Sequence, residues 1–283
     1  MSKNTIVITG ASTGIGYAIA ERFAKGGWQV FGSVRKAADG ERLQRELGVT
    51  PLEFDVTDAG AIASAAEKVS AALNGQTLSG LINNAGLSVA GPLLYMPLKT
   101  LQLQMDVNFT GPVQVQQAFA PLLGADRSRQ GRPGRIAQIS SVAGEAGFPF
   151  MGAYSASKHA LEGMSESLRR ELLLFGIEVS IIAPGAIVTP IWGKGETSDL
   201  EQYRDTPYAG ALRKFEEGLA DMGKRGLPAS RVADATWHAM TARKPKLRYE
   251  VIPRKFREWT LPNLMPTRMM DRYFAKMFGF PKK

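Results

Sequence analysis

The chain of 283 residues has no cysteine and only two histidines, His159 and His238. The first absence excludes disulfide staples, thiolate metal sites and a cysteine nucleophile. The second leaves too few imidazoles for a histidine metal cluster, so no metal site is expected. No apolar run is long enough to cross a bilayer. No leader with the positive, apolar and small-residue layout of a signal peptide is visible, so a cytoplasmic protein is expected. Acidic residues are the minority, 26 against 35 Lys and Arg, a net charge of +9. The basic excess gathers at 127–135 and from Lys244 onward, where it interleaves with Tyr249, Phe256, Trp259, Tyr273, Phe274, Phe278 and Phe280. No nucleic-acid reading motif accompanies it, so no nucleic-acid partner is expected. A solvated face, or attraction to an anionic cofactor or a membrane surface, accounts for the charge better. No linker, repeat or shift in composition divides the chain, and we expect a single domain over 1–283.

What is present is a rhythm of strand and helix patterns. Residues 5–9 form a short β-branched apolar run, the composition of a buried parallel strand. Gly10-Ala11-Ser12-Thr13-Gly14-Ile15-Gly16 follows, and then a stretch of helical periodicity. Strand, glycine-rich turn and helix in this order build a phosphate cradle, because glycines permit the tight turn and the helix N-terminus offers free N–H groups to an anion. Later strands are expected at 28–34, 50–54, 78–83, 135–140 and 177–182. This alternation predicts an α/β fold: a doubly wound parallel sheet of the Rossmann type, with helices on both faces. Asp55 and Asn83-Asn84-Ala85-Gly86 then fall at carboxyl ends of strands, the edge at which such sheets bind ligands. The second strand ends in Arg35-Lys36, and no acidic residue lies between Glu21 and Asp39. An arginine here suits a 2′-phosphate where a carboxylate would suit a 2′-hydroxyl, so NADP(H) is expected over NAD(H).

The chemistry centres on Tyr154-Ser155-Ala156-Ser157-Lys158, with Ser141 thirteen positions before the tyrosine. If 153–175 is helical, Tyr154 and Lys158 share one face, one turn apart. An ammonium beside a phenol favours the phenolate, so the tyrosine pKa is expected to fall from about 10 toward working pH. A tyrosine tuned in this way exchanges a proton with a carbonyl or alcohol oxygen. A serine hydroxyl alongside holds the same oxygen.

These segments together resemble the short-chain dehydrogenase/reductase family. The resemblance is carried by Thr9 to Gly16, Asp55-Val56, Asn83 to Gly86, Asn108 in Val-Asn-Phe-Thr-Gly, Ser140-Ser141, Tyr154 to Lys158, and Pro184-Gly185 followed by Thr189. It covers residues 5 to about 190 and implies an oxidoreductase acting on CH–OH groups. By that resemblance Tyr154 is the acid/base, and Lys158 lowers its pKa and holds the nicotinamide ribose. Ser141 orients the substrate oxygen, and Asn108 holds a water in a relay to Lys158. Gly10, Ser12, Thr13, Gly14, Ile15 and Gly16 line the pyrophosphate, Arg35 and Lys36 the 2′-phosphate, Asp55 and Val56 the adenine. Asn83, Ala85 and Gly86 lie on the adenosine side, and Pro184, Gly185, Ile187 and Thr189 at the carboxamide. Asn83 and Asn108 can equally be read as holding backbone in place. The family implies a homodimer or homotetramer built on helices near 100–122 and 153–175.

A narrower resemblance, in Gly147-Phe148-Pro149-Phe150, Leu161-Glu162-Gly163 and 261–266, is to the branch that handles steroids, retinoids and other lipophilic alcohols and ketones. Phe148, Met151 and Trp192 are candidate pocket residues, or caps on the core. The stretch 186–227 is read as a substrate lid and 244–283 as a C-terminal extension. Within the latter a short amphipathic helix is expected after Pro266. It could pack on the core or a partner subunit, wall the pocket, or make a peripheral contact with anionic lipid. Two other readings of the whole chain stay open: a nucleotide-sensing regulator without turnover, and a basic membrane-associated scaffold.

Overall fold

The computed structural model describes residues 3–189 and 200–281. In chain order the elements are β1 (Thr5–Ile8), α1 (Gly14–Lys25), β2 (Gln29–Val34), α2 (Ala37–Leu47), β3 (Thr50–Glu53), α3 (Ala59–Leu73) and β4 (Gly80–Asn83). Next come α4 (Leu98–Met105), α5 (Gly111–Phe119), β5 (Arg135–Ile139), α6 (Gly152–Glu171), β6 (Glu178–Pro184) and β7 (Ile187–Val188). The last are α7 (Ala209–Arg225), β8 (Leu227–Pro228), α8 (Ala229–Thr241), β9 (Arg248–Val251), α9 (Leu261–Asn263) and α10 (Thr267–Phe278). Seven strands make one parallel sheet in the order β3-β2-β1-β4-β5-β6-β9. The order reverses between β1 and β4, which opens the crevice where a Rossmann sheet takes its ligand.

Every residue of β1 and of β4 is buried, as a parallel sheet covered on both faces requires. The pleat sends alternate side chains to opposite sides. Ile6 and Ile8 join Ile19 and Phe23 of α1, Leu43 of α2 and Val232 of α8. Val7 and Leu81 join Ile62 and Val69 of α3 and Val115 and Phe119 of α5. On the first face Trp28 packs edge to face on Phe23 and Trp237, which tilt against each other, with centroids 5.0–6.0 Å apart.

Sequence reading missed the seventh strand, because the βαβ pattern was followed only to about residue 183. β9 lies inside the stretch read as a C-terminal extension and pairs with β6 from Ile181↔Arg248 to Pro184↔Val251. It is a short edge strand in which only Tyr249 and Val251 are buried, so its hydrophobic signal is two residues long.

A third cluster lies beside the sheet. Phe150 is its hub, with ring centroids 5.8 Å from Tyr208, 5.5 Å from Phe215 and 5.4 Å from Phe278. Leu200, Tyr203, Leu212, Phe274 and Phe280 complete it. The segment 186–227 therefore brings its own helix, α7, and part of a core. The helix expected after Pro266 is α10, which packs on α7.

Phe278 is 7% exposed at the end of α10. Phe278→Ala is expected to lower the unfolding free energy by about 3 kcal/mol, because the cavity lies against several rings at once. Urea denaturation with an unchanged m-value checks it.

Candidate active site

The crevice opens where β1 and β4 part, and Thr9 and Asn84 tie its two lips together. The Thr9 Oγ1 accepts the backbone N–H groups of Asn84 and Ala85, each at 2.9 Å. The Asn84 carboxamide donates to the carbonyls of Thr9 at 2.9 Å and Gly10 at 3.1 Å. Gly10 has φ +64°, and a Cβ there would stand 2.9 Å from Ala85 Cα. A Cβ on Gly16 would lie 2.1 Å from the Gly10 carbonyl oxygen, so the first turn of α1 closes directly on the loop. Thr13 at the helix N-cap makes no side-chain cap bond, which leaves first-turn N–H groups to face the crevice. This arrangement fits a pyrophosphate.

From the cradle a cleft of about 430 Å³ runs to the end of β6. Gly10, Ser12, Thr13, Gly14, Ile15 and Gly16 line it, with Arg35, Lys36, Asp55 and Val56 at one end. Ala85, Gly86, Ser141, Tyr154, Lys158, Pro184, Gly185, Ile187 and Thr189 continue the wall. Arg35 is largely exposed, its Nη1 4.0 Å from Asp55 Oδ2. Asp55 is held in turn by the N–H and hydroxyl of Thr57, at 3.0 and 2.8 Å.

Two of the expected residues, Asn83 and Asn108, are not among those that line the cleft. Asn83 is 3% exposed within β4 and shares the pleat side of Leu81, turned into the core, so Asn84 rather than Asn83 reaches the cleft. Asn108 is fully buried in a π-turn, Asp106–Thr110, between α4 and α5. Its Oδ1 accepts the N–H of Leu87, and its Nδ2 donates to the Leu87 carbonyl, both at 2.9 Å, and to Ser157 Oγ at 3.1 Å. Gln104, one helical turn earlier, accepts from Val89 N–H and donates to the Leu87 carbonyl, both at 2.8 Å. Together they fix the segment after Gly86 that forms the cleft wall opposite α6.

Of the candidate pocket residues, Phe148 packs edge-on against Phe274, and Met151 is buried in the third cluster. They cap the core there and are not among the cleft-lining residues. Trp192 lies outside the described residues.

Helix α6 carries Tyr154 and Lys158 on one face, as the spacing predicts. Lys158 is 5% exposed, and its Nζ donates to the Ile139 carbonyl at 2.8 Å and stands 5.8 Å from the Tyr154 ring centroid. Ser141 heads a short turn after β5; its Oγ accepts the Ala143 N–H at 3.2 Å, and its hydroxyl donates to the Pro184 carbonyl at 3.5 Å. The pKa expectation for Tyr154 is corrected by the structure. Burial holds the phenol above its ordinary value, and the neighbouring Ser141 hydroxyl offsets this only in part. Burial also depresses Lys158 to about 8, against the pull of the Glu162 carboxylate one turn further on. Desolvation of both groups outweighs the effect expected from their spacing.

Glu162 and Arg248 were missed by sequence reasoning, since they are 86 positions apart. Glu162 is buried and accepts the Ser140 hydroxyl at 2.7 Å. Arg248, from β9, grips both Glu162 oxygens at 3.1 Å and also meets Glu145 and Glu250 at 3.2 Å. The neighbour of Ser141 and the carboxylate beside Lys158 are thus held by one guanidinium.

A parallel sheet with a phosphate cradle at its switch point, and a serine, tyrosine and lysine further along the same cleft, defines a dinucleotide-dependent oxidoreductase. Residues 4–199 match the family model described as short chain dehydrogenase. A relative 40% identical over 95% of each chain is an NADPH-dependent 3-dehydrocapnine reductase of Ornithobacterium rhinotracheale. Another, 30% identical over 94% of this chain and 96% of its own, is a 3-ketodihydrosphingosine reductase of Bacteroides thetaiotaomicron. A short-chain dehydrogenase from Streptomyces avermitilis superposes over the whole of both chains with a TM-score of 0.78 at 28% identity. The chain belongs to the short-chain dehydrogenase/reductase family and is an NAD(P)-dependent oxidoreductase acting on CH–OH and ketone groups.

Between about pH 8 and 10.5 the unfolded chain carries a Lys158 proton that the folded chain has released, so stability rises with pH across this window. Lys158→Met is expected to flatten the rise by up to about 3 kcal/mol relative to the parent. Parallel denaturation curves at the two ends of the window check the sign and the size.

Proposed function

We propose that this protein reduces a lipophilic ketone to a secondary alcohol with NADPH. The single observation that carries the chemistry is that Ser141, Tyr154 and Lys158 line the same cleft as the Gly10–Gly16 cradle. When bound, the nicotinamide coenzyme supplies the hydride. Tyr154 gives its phenolic proton to the carbonyl oxygen as charge develops there, and Ser141 donates a hydrogen bond to that oxygen. Lys158, anchored on Ile139, restores the proton from beneath. A phenol held above its ordinary pKa by burial is protonated before the reaction, the state that a proton donor to a ketone requires.

The NADPH preference rests on Arg35 and Lys36, exposed at the mouth of the cleft beside Ser12. A planar guanidinium matches a phosphate in geometry and charge. The 40% identical relative uses NADPH, which agrees. The substrate reading draws on the two named relatives, a 3-dehydrocapnine reductase and a 3-ketodihydrosphingosine reductase. Of the segment 186–227 read as a substrate lid, residues 190–199 lie outside the described residues, and Leu200, Tyr203, Leu212 and Phe215 pack in the cluster that also meets Tyr154.

Tyr154→Phe keeps the ring and removes the proton. Ketone reduction followed at the nicotinamide absorbance is expected to fall about 10²–10⁴-fold, with NADPH affinity nearly unchanged. Near-parental turnover would remove Tyr154 from the chemistry and the proposal with it. Arg35→Ala is expected to weaken NADPH by about 10- to 150-fold, the worth of a charge-assisted hydrogen bond, and to leave NADH alone. Equal losses for both coenzymes in a fluorescence titration would assign Arg35 a structural role instead.

A further inference from the structure

We propose that α10 is a membrane-contact helix, its exposed apolar stripe entering the surface of an anionic bilayer while an adjoining basic stripe binds the lipid phosphates. The proposal does not rest on the substrate reading above.

The helix has three faces. Successive residues turn by about 100°. Met269, Tyr273 and Met277 therefore form one stripe at four-residue spacing, and they are 51%, 53% and 43% exposed. Arg268, Arg272 and Lys276 form a second stripe beside it at the same spacing, all exposed. Phe278, buried against Phe150 and Phe215, and the half-buried Phe274 stacked on it form the third. Asp271, the one acidic residue of the helix, projects about 160° from the middle of the apolar stripe. The protein's own packing accounts for the third face and leaves the first two free. None of the three basic residues has an ion-pair partner among the described residues.

The chain leading into α10 adds to the apolar surface, with Phe256 71%, Leu261 51% and Leu264 74% exposed. Arg254 and Lys255 lie in the same stretch. An apolar stripe flanked by cations is the composition of a helix lying in the headgroup region, its apolar side chains reaching the acyl boundary. Each cation near an anionic surface adds attraction. Charge complementarity selects this occupant over a second copy of the chain. A two-fold contact through the apolar stripe would set the basic stripe of one copy beside that of the other, between molecules of net charge +9. The inner face of α10 belongs to the cluster that also packs against Tyr154, so a bilayer beneath this helix lies one aromatic layer from the cleft.

The test is sedimentation of the full chain with vesicles of pure phosphatidylcholine and of an equimolar mixture with phosphatidylglycerol. Binding is expected to the mixed vesicles alone and to weaken with added salt. The triple change Arg268→Glu, Arg272→Glu, Lys276→Glu is expected to weaken it on the order of 100-fold, with the melting curve kept. Met269→Ser with Met277→Ser is expected to weaken it as well. No binding by the parent protein overturns the proposal, as does binding indifferent to lipid charge and salt. A dimer in sedimentation velocity that the Met269→Ser, Met277→Ser variant dissociates also overturns it and makes this face a self-interface. The lipid and salt arms use only the parent chain, so they decide the matter even where a variant fails to fold.

Discussion

The loop after β1 and the loop after β4 come so close that their backbones almost touch, and the rest of the site is built around that contact. The two strands must separate at their carboxyl ends to make a crevice, yet the crevice must keep its width. Thr9 and Asn84 meet both demands with four hydrogen bonds across the gap. The approach is so tight that Gly10 and Gly16 have no room for a side chain. A half-buried carboxamide that satisfies two carbonyls cannot drift without leaving them unpaired, which costs up to roughly 1–3 kcal/mol for each group. Cradle and clamp are therefore one unit.

The same device recurs along the cleft. Asn108 and Gln104 fasten the backbone of Leu87 and Val89, Ile139 anchors Lys158, and Arg248 holds Glu162 beneath Ser140. Lys158 ties α6 to the end of β5 and Arg248 ties it to β9, while Asn108 and Gln104 reach a segment that has no ladder of its own. Function sits on irregular backbone, and these bonds make the irregular backbone rigid. The π-turn at Asp106–Thr110 is part of this, since the extra residue in the turn brings Asn108 toward Leu87.

Much of this was legible in the sequence, because it is local. Six strands, the glycine turn, the one-turn spacing of Tyr154 and Lys158, and the helix after Pro266 each follow from neighbours within about ten residues. What was not legible depends on distant parts of the chain. Which of two adjacent asparagines faces the crevice is set by the phase of the pleat where β4 ends. The partnership of Glu162 with Arg248 needs β9 beside β6, and β9 carries too few apolar residues to announce itself. The direction of the Tyr154 shift is set by how much protein surrounds the phenol, a property of the folded molecule rather than of a four-residue interval. Phe148 and Met151 were apolar residues near the site in sequence, and packing took them into the third cluster.

The position of β9 also bears on the order in which the site comes into being. Synthesis proceeds from the N-terminus, and domains begin to fold as they emerge. The cradle, the clamp and the Tyr154 helix all lie within the first 171 residues, whereas the guanidinium that neutralises Glu162 arrives 86 residues after its partner. Until then the Glu162 carboxylate beneath Ser140 lacks the two guanidinium hydrogen bonds that it has in the folded protein. The nascent protein can thus have its nucleotide cradle formed while its proton-transfer end still lacks those bonds.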